Sequence, residues 1–337
     1  MDKKPWLVDV PVKVNIWVRP ECQRKQFDVI KQARPSILFI QSDGGRNEQE
    51  WKIINEHRKM FDTEIDWDCK VYKIYADKNY GLYTMADMRN ELLWSKVDRC
   101  IMLEDDQIPS VSYFRFCAEL LEKYKNDERI CCICGMNHLG VSENVNSDYF
   151  FSRQGSIWGI AIWKRTYDQY GKFMYGNDPY VMTLLKQRTK HNRIAWKRIC
   201  AYAKSKEYEG HEAGAEFFIE FAMYGLNQLQ IVPKYNMISN IGCSDQAVHS
   251  NDIKMLPRGI RRVFNAKIYE VNFPLKHPEY VIPDVEYEKK RNRIMAYNHP
   301  IVFWARKVES FALMVRYGKL KHALKKAKNT ILPAKES

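Results

Sequence analysis

The first 135 residues show two recurring hydrophobic rhythms. Over 12–18, Val12, Val14, Ile16 and Val18 alternate with Lys13, Asn15 and Trp17, a period-two pattern that predicts a strand. Arg19-Pro20 ends it, and a helix is predicted over 22–33, stopped ahead of Pro35 because a residue before proline is pushed out of helical conformation. Residues 36–40 form a strand whose Ile37-Leu38-Phe39-Ile40 are continuously apolar, as a strand buried on both faces would be, and 69–75 alternates again. Helices are predicted over 48–61, 84–95 and 110–124, the last with Phe114, Cys117, Leu121 and Tyr124 at helical spacing. The short apolar run 100–103 and the run 130–135 complete the set of strands. Strands alternating with helices predict an α/β fold on a mainly parallel sheet.

The second half is less regular. Residues 149–152 and 156–163 read as strand and turn, 179–190 and 192–205 as helices, and 229–233 as a short strand. A helix over 213–224, ended by Gly225, puts Glu216 and Glu220 on one face. From Pro300 onward Trp304, Val308, Phe311 and Val315 recur at helical spacing, amid Arg306, Lys307, Arg316, Lys319, Lys321, Lys325, Lys326 and Lys328. A basic amphipathic helix of that kind lies on an anionic bilayer or docks its apolar face on its own domain.

Composition narrows the class. The 337 residues are 45% apolar and 13% aromatic, enough for a sizeable core. The chain carries 54 basic against 41 acidic residues, net +13, which suits an anionic partner. No helix-turn-helix, zinc-finger or RNP pattern makes that partner nucleic acid. No apolar run is long enough for a membrane span and Met1-Asp2-Lys3-Lys4-Pro5 is not a secretory leader, so a cytoplasmic protein is expected, peripheral on the inner membrane if the tail binds lipid. Nine cysteines include Cys131, Cys132 and Cys134 in an apolar run, as small buried side chains, and no paired C-x-x-C points to zinc. Neither G-x-G-x-x-G nor G-x-x-x-x-G-K-[ST] occurs.

The chemistry concentrates at Glu104-Asp105-Asp106, where the apolar run 100–103 stops abruptly. Ligands bind beyond the carboxyl ends of strands in open α/β sheets. Extended-chain alternation points Glu104 and Asp106 one way and Asp105 the other. Three adjacent anions need a cation, and a hard Mg²⁺ or Mn²⁺ carrying nucleotide phosphates needs only one or two carboxylates. The plain alternative is a solvated acidic turn ahead of a helix.

Several blocks together resemble bacterial sugar-nucleotide glycosyltransferases of the GT-A fold, distantly similar to N-acetylglucosaminyltransferase I. They are Ser42-Asp43-Gly44, Asn79-Tyr80-Gly81, Leu103-Glu104-Asp105-Asp106, Ser152-Arg153, Trp158-Gly159 with Trp163, Pro233-Lys234-Tyr235-Asn236, and Ser239-Asn240-Ile241-Gly242 through to His249. The resemblance spans about 12–280 and implies a Rossmann-like, mixed central sheet flanked by helices. It divides the chain into a nucleotide-sugar half over 1–135, an acceptor half over 136–285 and a basic helical tail over 286–337. It implies a UDP-sugar donor, Mn²⁺ or Mg²⁺ as cofactor, and a glycan or lipid-linked acceptor in surface polysaccharide synthesis.

By the same resemblance Asp106 is the metal ligand, with His249 near the diphosphate, and Glu104 and Asp105 address the ribose and donor sugar, or the metal through water. Arg19, Asp43, Gly44, Asp77 and Asn79 hold the nucleoside, and Trp158, Gly159 and Trp163 offer an apolar platform for a sugar. The chain departs from the family where Trp-Asp is expected and His211-Glu212-Ala213-Gly214-Ala215-Glu216 stands instead. An inverting transfer needs a carboxylate base, for which Glu216 is the first choice and Glu212 the second. Two other classes remain open at this point: a sugar nucleotidyltransferase, which should show a Gly-rich loop where Arg19-Pro20-Glu21 stands, and a non-catalytic scaffold bound to membrane or polysaccharide.

Overall fold

Proline and glycine positions set the frame of the computed structural model, which describes residues 3–169, 178–203, 215–242 and 253–331. β1 (Val8–Ile16) gives way to α1 (Pro20–Ala33), with Pro20 in the first helical turn where its missing N–H costs nothing. Arg34, left-handed at φ 46°, closes α1 and hands the chain to β2 (Pro35–Ser42). Asn47 accepts a hydrogen bond from the Glu50 amide and starts α2 (Glu48–Thr63). There follow β3 (Lys70–Tyr75), α3 (Leu82–Trp94), β4 (Arg99–Leu103), β5 (Gln107–Pro109), α4 (Ser112–Lys123) and β6 (Ile130–Cys134).

The second half runs β7 (Tyr149–Ser152), β8 (Ile160–Trp163), α5 (Lys164–Tyr167), α6 (Pro179–Arg188), α7 (Arg193–Ala203), α8 (Ala215–Gly225), β9 (Leu229–Pro233) and β10 (Ile238–Asn240). The chain ends in α9 (Arg258–Arg261), α10 (Val285–Met295), α11 (Pro300–Arg316) and α12 (Leu320–Ile331).

Among the described residues eight strands form one sheet in the order β3-β2-β1-β4-β8-β6-β9-β7. β3, β2, β1 and β4 are parallel, with Val12 opposite Ile101 and Val14 opposite Leu103. The sheet is mixed rather than mainly parallel: β8 fills the gap between β4 and β6 and runs against both. Its approach, through the glycines of 155–159, contains no crossover helix to force parallel entry. The result is the α/β class with a mixed central sheet flanked by helices.

Both faces are covered. Phe27 and Ile30 of α1, Ile54 and Phe61 of α2 and Phe114, Leu120 and Leu121 of α4 pack on Val10, Val12 and Val14. Leu93 and Trp94 of α3 pack with Phe39 and Cys100, and Ile199, Phe218 and Phe221 of α7 and α8 pack with Cys131 and Cys132. The eight described cysteines are free, and Cys131, Cys132 and Cys134 are buried as expected.

Two local readings change. The helix expected from 110 begins at Ser112, because 107–109 form β5 and pair antiparallel with β10, Gln107 opposite Asn240. Trp163 is no sugar platform: it is buried in the core, and its indole N–H donates to the Leu121 carbonyl at 3.0 Å.

Candidate functional site

From β1 the sheet grows through β2 to β3 on one side, and β4 then starts the other side. This reversal opens a crevice beyond the carboxyl ends of β1 and β4, the general ligand site of open α/β sheets. Arg19 follows β1 at the start of α1, and the acidic triplet follows β4, so both reach this crevice. Arg19 Nη1 donates to Asp106 Oδ2 at 2.6 Å, and its Nε lies 3.3 Å from Asp105 Oδ2.

The alternation expected of the triplet does not hold, because β4 ends at Leu103 and the acids lie in a turn closed by the Gln107 amide on the Glu104 carbonyl. Asp105 and Asp106 therefore share Arg19, and Glu104 turns away. Asn15 donates to Glu104 Oε2 at 2.7 Å, and Lys13 Nζ lies 3.7 Å from Oε1. The turn is pinned from beneath. Gln26 Nε2 donates to the Glu104 and Gln107 carbonyls at 2.7 Å each, and Gln107 Oε1 accepts from the Glu104 and Gly159 amides.

The electrostatics follow from burial. Burial and the neighbouring Asp106 and Glu104 charges push the Asp105 carboxyl up to about 7, with Arg19 opposing. Lys13, fully buried between two valines, has its ammonium brought down to about 8 by burial, with Glu104 opposing and Arg89 assisting. The Lys13 charge in turn holds the half-exposed Glu104 carboxyl below its ordinary range.

A second cluster joins two blocks that lie apart in sequence. Asp43 Oδ1 accepts from the Gly44 and Tyr80 amides at 2.8 Å each, while Oδ2 accepts from the Gly81 amide at 2.9 Å and Asn79 Nδ2 at 3.2 Å. Asn79 also donates to the Gly44 carbonyl. Gly44 is required for the close approach, since a Cβ there would stand 2.3 Å from the Lys78 carbonyl carbon. Asp77 is exposed at the rim and accepts from the Tyr80 hydroxyl at 3.1 Å. Asp43 thus organises the loop ahead of α3.

Gly159 continues the site on the other side. Its φ of +56° suits glycine, and its carbonyl accepts from the Gly135 amide and the Tyr113 hydroxyl. Trp158 packs on Phe264 at 5.2 Å between ring centroids and forms part of the wall of a cavity of about 310 Å³. The bonded path Glu104–Gln107–Gly159 links the acidic turn to this cavity. Glu220, one turn beyond Glu216 on α8, lines it too.

Glu212 and His249 lie outside the described residues, and Glu216 belongs to α8 with its side chain outside them. The sequence reading missed Lys13, Asn15, Gln26 and Gln107, which hold the acidic turn. Lys13 carried one usable signal, a lone charge inside the strand Val12-Lys13-Val14 beside the acids' strand.

No three His, Cys, Asp or Glu side chains among the described residues converge to hold a metal ion by themselves. The donors present nevertheless fit a hard divalent cation that brings its own phosphate ligands. Asp105 Oδ2 is buried without a hydrogen-bond partner, and Asp106 adds a second carboxylate. Gly242 packs directly against Asp106 and Arg19, where a Cβ would stand 2.3 Å from Oδ2, so only glycine lets the chain approach the pair this closely.

No family model matches the sequence, and no curated protein matches it. Among solved structures the chain is similar to GalNAc-T7 with UDP, GalNAc and Mn²⁺, at 10% identity and a TM-score of 0.43 over 73% of this chain and 45% of that one. It is similar to the mannosyltransferase PcManGT from Pyrobaculum calidifontis in complex with GDP-Man and Mn²⁺, at 14% identity and a TM-score of 0.37 over 99% and 85% of the two chains. S. aureus TarS 1-349 is similar at 10% identity and a TM-score of 0.35 over 73% and 61%. The chain spans less than half the length of the first of these. At that level of likeness, function is read from this chain's own residues.

Proposed function

We propose that the protein is a metal-dependent GT-A glycosyltransferase moving a hexosyl or N-acetylhexosaminyl group from a nucleotide-diphosphate donor, a UDP-sugar, to a glycan or lipid-linked glycan. The observation that supports this most is the pair Asp105 and Asp106 on Arg19 at the sheet's reversal point. A partly buried carboxylate pair beside a guanidinium, with one carboxylate oxygen that accepts no hydrogen bond, suits a metal–diphosphate ligand better than a solvated turn.

Asp106 and Asp105 would hold Mn²⁺ or Mg²⁺, which supplies Lewis-acid stabilisation of the departing diphosphate. Arg19 adds a positive charge beside the same position. Asp43 fixes the backbone of 79–81 for the nucleoside, with Asp77 at its rim. Trp158 and Gly159 orient the donor sugar. Glu216 accepts the proton of the acceptor hydroxyl as its oxygen bonds to the anomeric carbon and the bond to the diphosphate breaks, giving inversion; Glu212 is the alternative base, and His249 a further ligand.

The setting we propose is surface polysaccharide synthesis, capsule or lipopolysaccharide, at the cytoplasmic membrane face. The tail supports it. Ile301, Trp304, Ala305, Val308, Ala312 and Val315 all lie on one exposed side of α11, within an arc of roughly 100°. The opposite side makes the chain contacts, with Glu309 accepting from the Arg258 amide and Arg306 donating to the Arg293 carbonyl. Residues 300–331 carry eight Lys or Arg and one Glu, a net +7 of the chain's +13, which suits an anionic bilayer.

Isothermal titration with UDP, with and without Mn²⁺, tests the core of the reading. Binding that requires the metal is expected. UDP binding indifferent to Mn²⁺, or none at all, overturns the reading in favour of a scaffold.

A further inference from the structure

The cavity beside the acidic turn has an unbalanced charge. Its described lining residues include Arg153, Arg198 and Arg291 with one carboxylate, Glu220, while Glu288 lies against Arg153 from outside the lining. His138 does not add charge to the balance at neutral pH, since burial and Arg291 hold its imidazole well below the ordinary value. Arg198 Nη1 pairs with Glu220 Oε2 at 3.0 Å, and its Nη2 reaches the Tyr297 hydroxyl at 3.4 Å. The acid's ion pair is with Arg198, while the Arg291 charge acts on it without pairing.

Arg291 has no carboxylate of its own. It is 7% exposed, on α10, and stands 5.0 Å from the Tyr297 ring centroid. Nη1 donates to Gln154 Oε1 at 2.9 Å, while Nη2 has a 3.4 Å contact with the Gly155 carbonyl. Its Nε–H is buried without a partner. A buried guanidinium with neutral acceptors on one edge and an unpartnered donor on the other has no counter-charge in direct contact. The free edge, Nε with the weakly held Nη2, is the fork that takes a carboxylate or phosphate in two parallel hydrogen bonds. Beside it Phe264, Val263 and Ile260 give the wall an apolar side for the body of a sugar ring, and about 310 Å³ is room for one such residue.

We propose that this cavity binds a saccharide carrying an acidic group, a uronate carboxylate or a phosphate, with Arg291 as its charge partner. In the glycosyl-transfer reading, on which this assignment of role rests, the acidic residue belongs to the acceptor. The bonded path from the Glu104 amide through Gln107 to Gly159, next to the cavity-lining Trp158, joins the cavity wall to the acidic turn.

Saturation-transfer NMR on the full chain, with methyl β-D-glucuronide, α-D-glucose 1-phosphate and methyl β-D-glucoside as probes, tests it. At least one acidic probe should bind tenfold or more tightly than the neutral glucoside, and which one tells carboxylate from phosphate. Arg291→Met should remove the preference, and Arg291→Lys should restore part of it. Equal binding of all three probes, binding of none, or an acidic preference unchanged in a folded Arg291→Met protein overturns the proposal. UDP–Mn²⁺ titration of the same samples separates the two ideas: metal-dependent UDP binding without acidic preference sinks only this one, while acidic preference without UDP binding sinks only the transferase reading.

Discussion

Arg19 and Asp106, 87 residues apart in sequence, meet at 2.6 Å beyond the ends of two adjacent parallel strands. The pair is partly buried, and Arg19 serves Asp105 as well, so removing Arg19 leaves both carboxylates uncompensated. Arg19→Met should cost about 2–4 kcal/mol, toward the lower end of what breaking a fully buried pair costs. It leaves Asp105 and Asp106 facing each other without a cation, so added Mn²⁺ should recover part of the loss. A thermal melt with and without Mn²⁺ checks this. A melting temperature equal to that of the parent protein would show that the pair holds nothing together.

Asp106→Ala should leave the fold intact and abolish metal-dependent UDP binding and transfer, with turnover down a hundredfold or more. Released nucleotide measured against a circular-dichroism melt separates the two effects. Unchanged turnover removes Asp106 as ligand.

The acidic turn was legible because an apolar run gives way to three acids without transition, a pattern that places charge at a strand end. What holds the turn was not. Gln26 and Gln107 are ordinary polar residues in sequence, and only the fold brings them under Glu104. Asp43 and 79–81 were each visible as blocks, but their union spans a helix and a strand. Trp163 was misread because a tryptophan beside a glycine-rich turn looks available, whereas its register on β8 faces α4. Arg291 gave no local signal: its meaning comes from Tyr297 and from Gln154, which is 137 positions away.

Lys13 predicts a pH dependence. Its ammonium falls from 10.5 to about 8 on folding, so between those values the unfolded chain holds more protons than the folded one. Stability therefore rises with pH across that window, as the burial penalty on the charged amine disappears. Lys13→Met lacks the penalty at every pH. Its stability relative to the parent should be greatest below pH 8 and should fall by about 3 kcal/mol as pH approaches 10.5, at roughly 1.4 kcal/mol per unit. Urea melts of both proteins at pH 7 and pH 10 check this, and a pH-independent difference contradicts it.

Asp43→Ala should loosen 79–81, because one carboxylate serves two backbone amides and a side-chain amide there, besides the Gly44 amide. A loss of about 1–2 kcal/mol is expected, comparable to removing a helix cap. Hydrogen exchange should quicken at Tyr80 and Gly81 and in the first turn of α3, with the core of β1 unaffected. Donor affinity should fall with it if this loop holds the nucleoside.

The exposed side of α11 gives the last expectation. Ile301 is 77% exposed and Val308 69%, beside Trp304 at 51%, so apolar surface stands in water on a segment of net +7. Burying it in a bilayer gains about 25 cal/mol per Å² of apolar area, and the basic residues add attraction to anionic headgroups. The protein should float with phosphatidylglycerol-containing vesicles and not with pure phosphatidylcholine, and the tryptophan emission should shift to the blue on binding. Val308→Glu should reduce retention at least tenfold while leaving UDP binding unchanged, since α11 lies outside the crevice residues. High salt should weaken the parent's binding, because screening removes the electrostatic share. Retention insensitive to lipid charge and to Val308→Glu would leave the stripe without a membrane role, and concentration-dependent dimerisation abolished by Val308→Glu would assign it to a second copy of the chain instead.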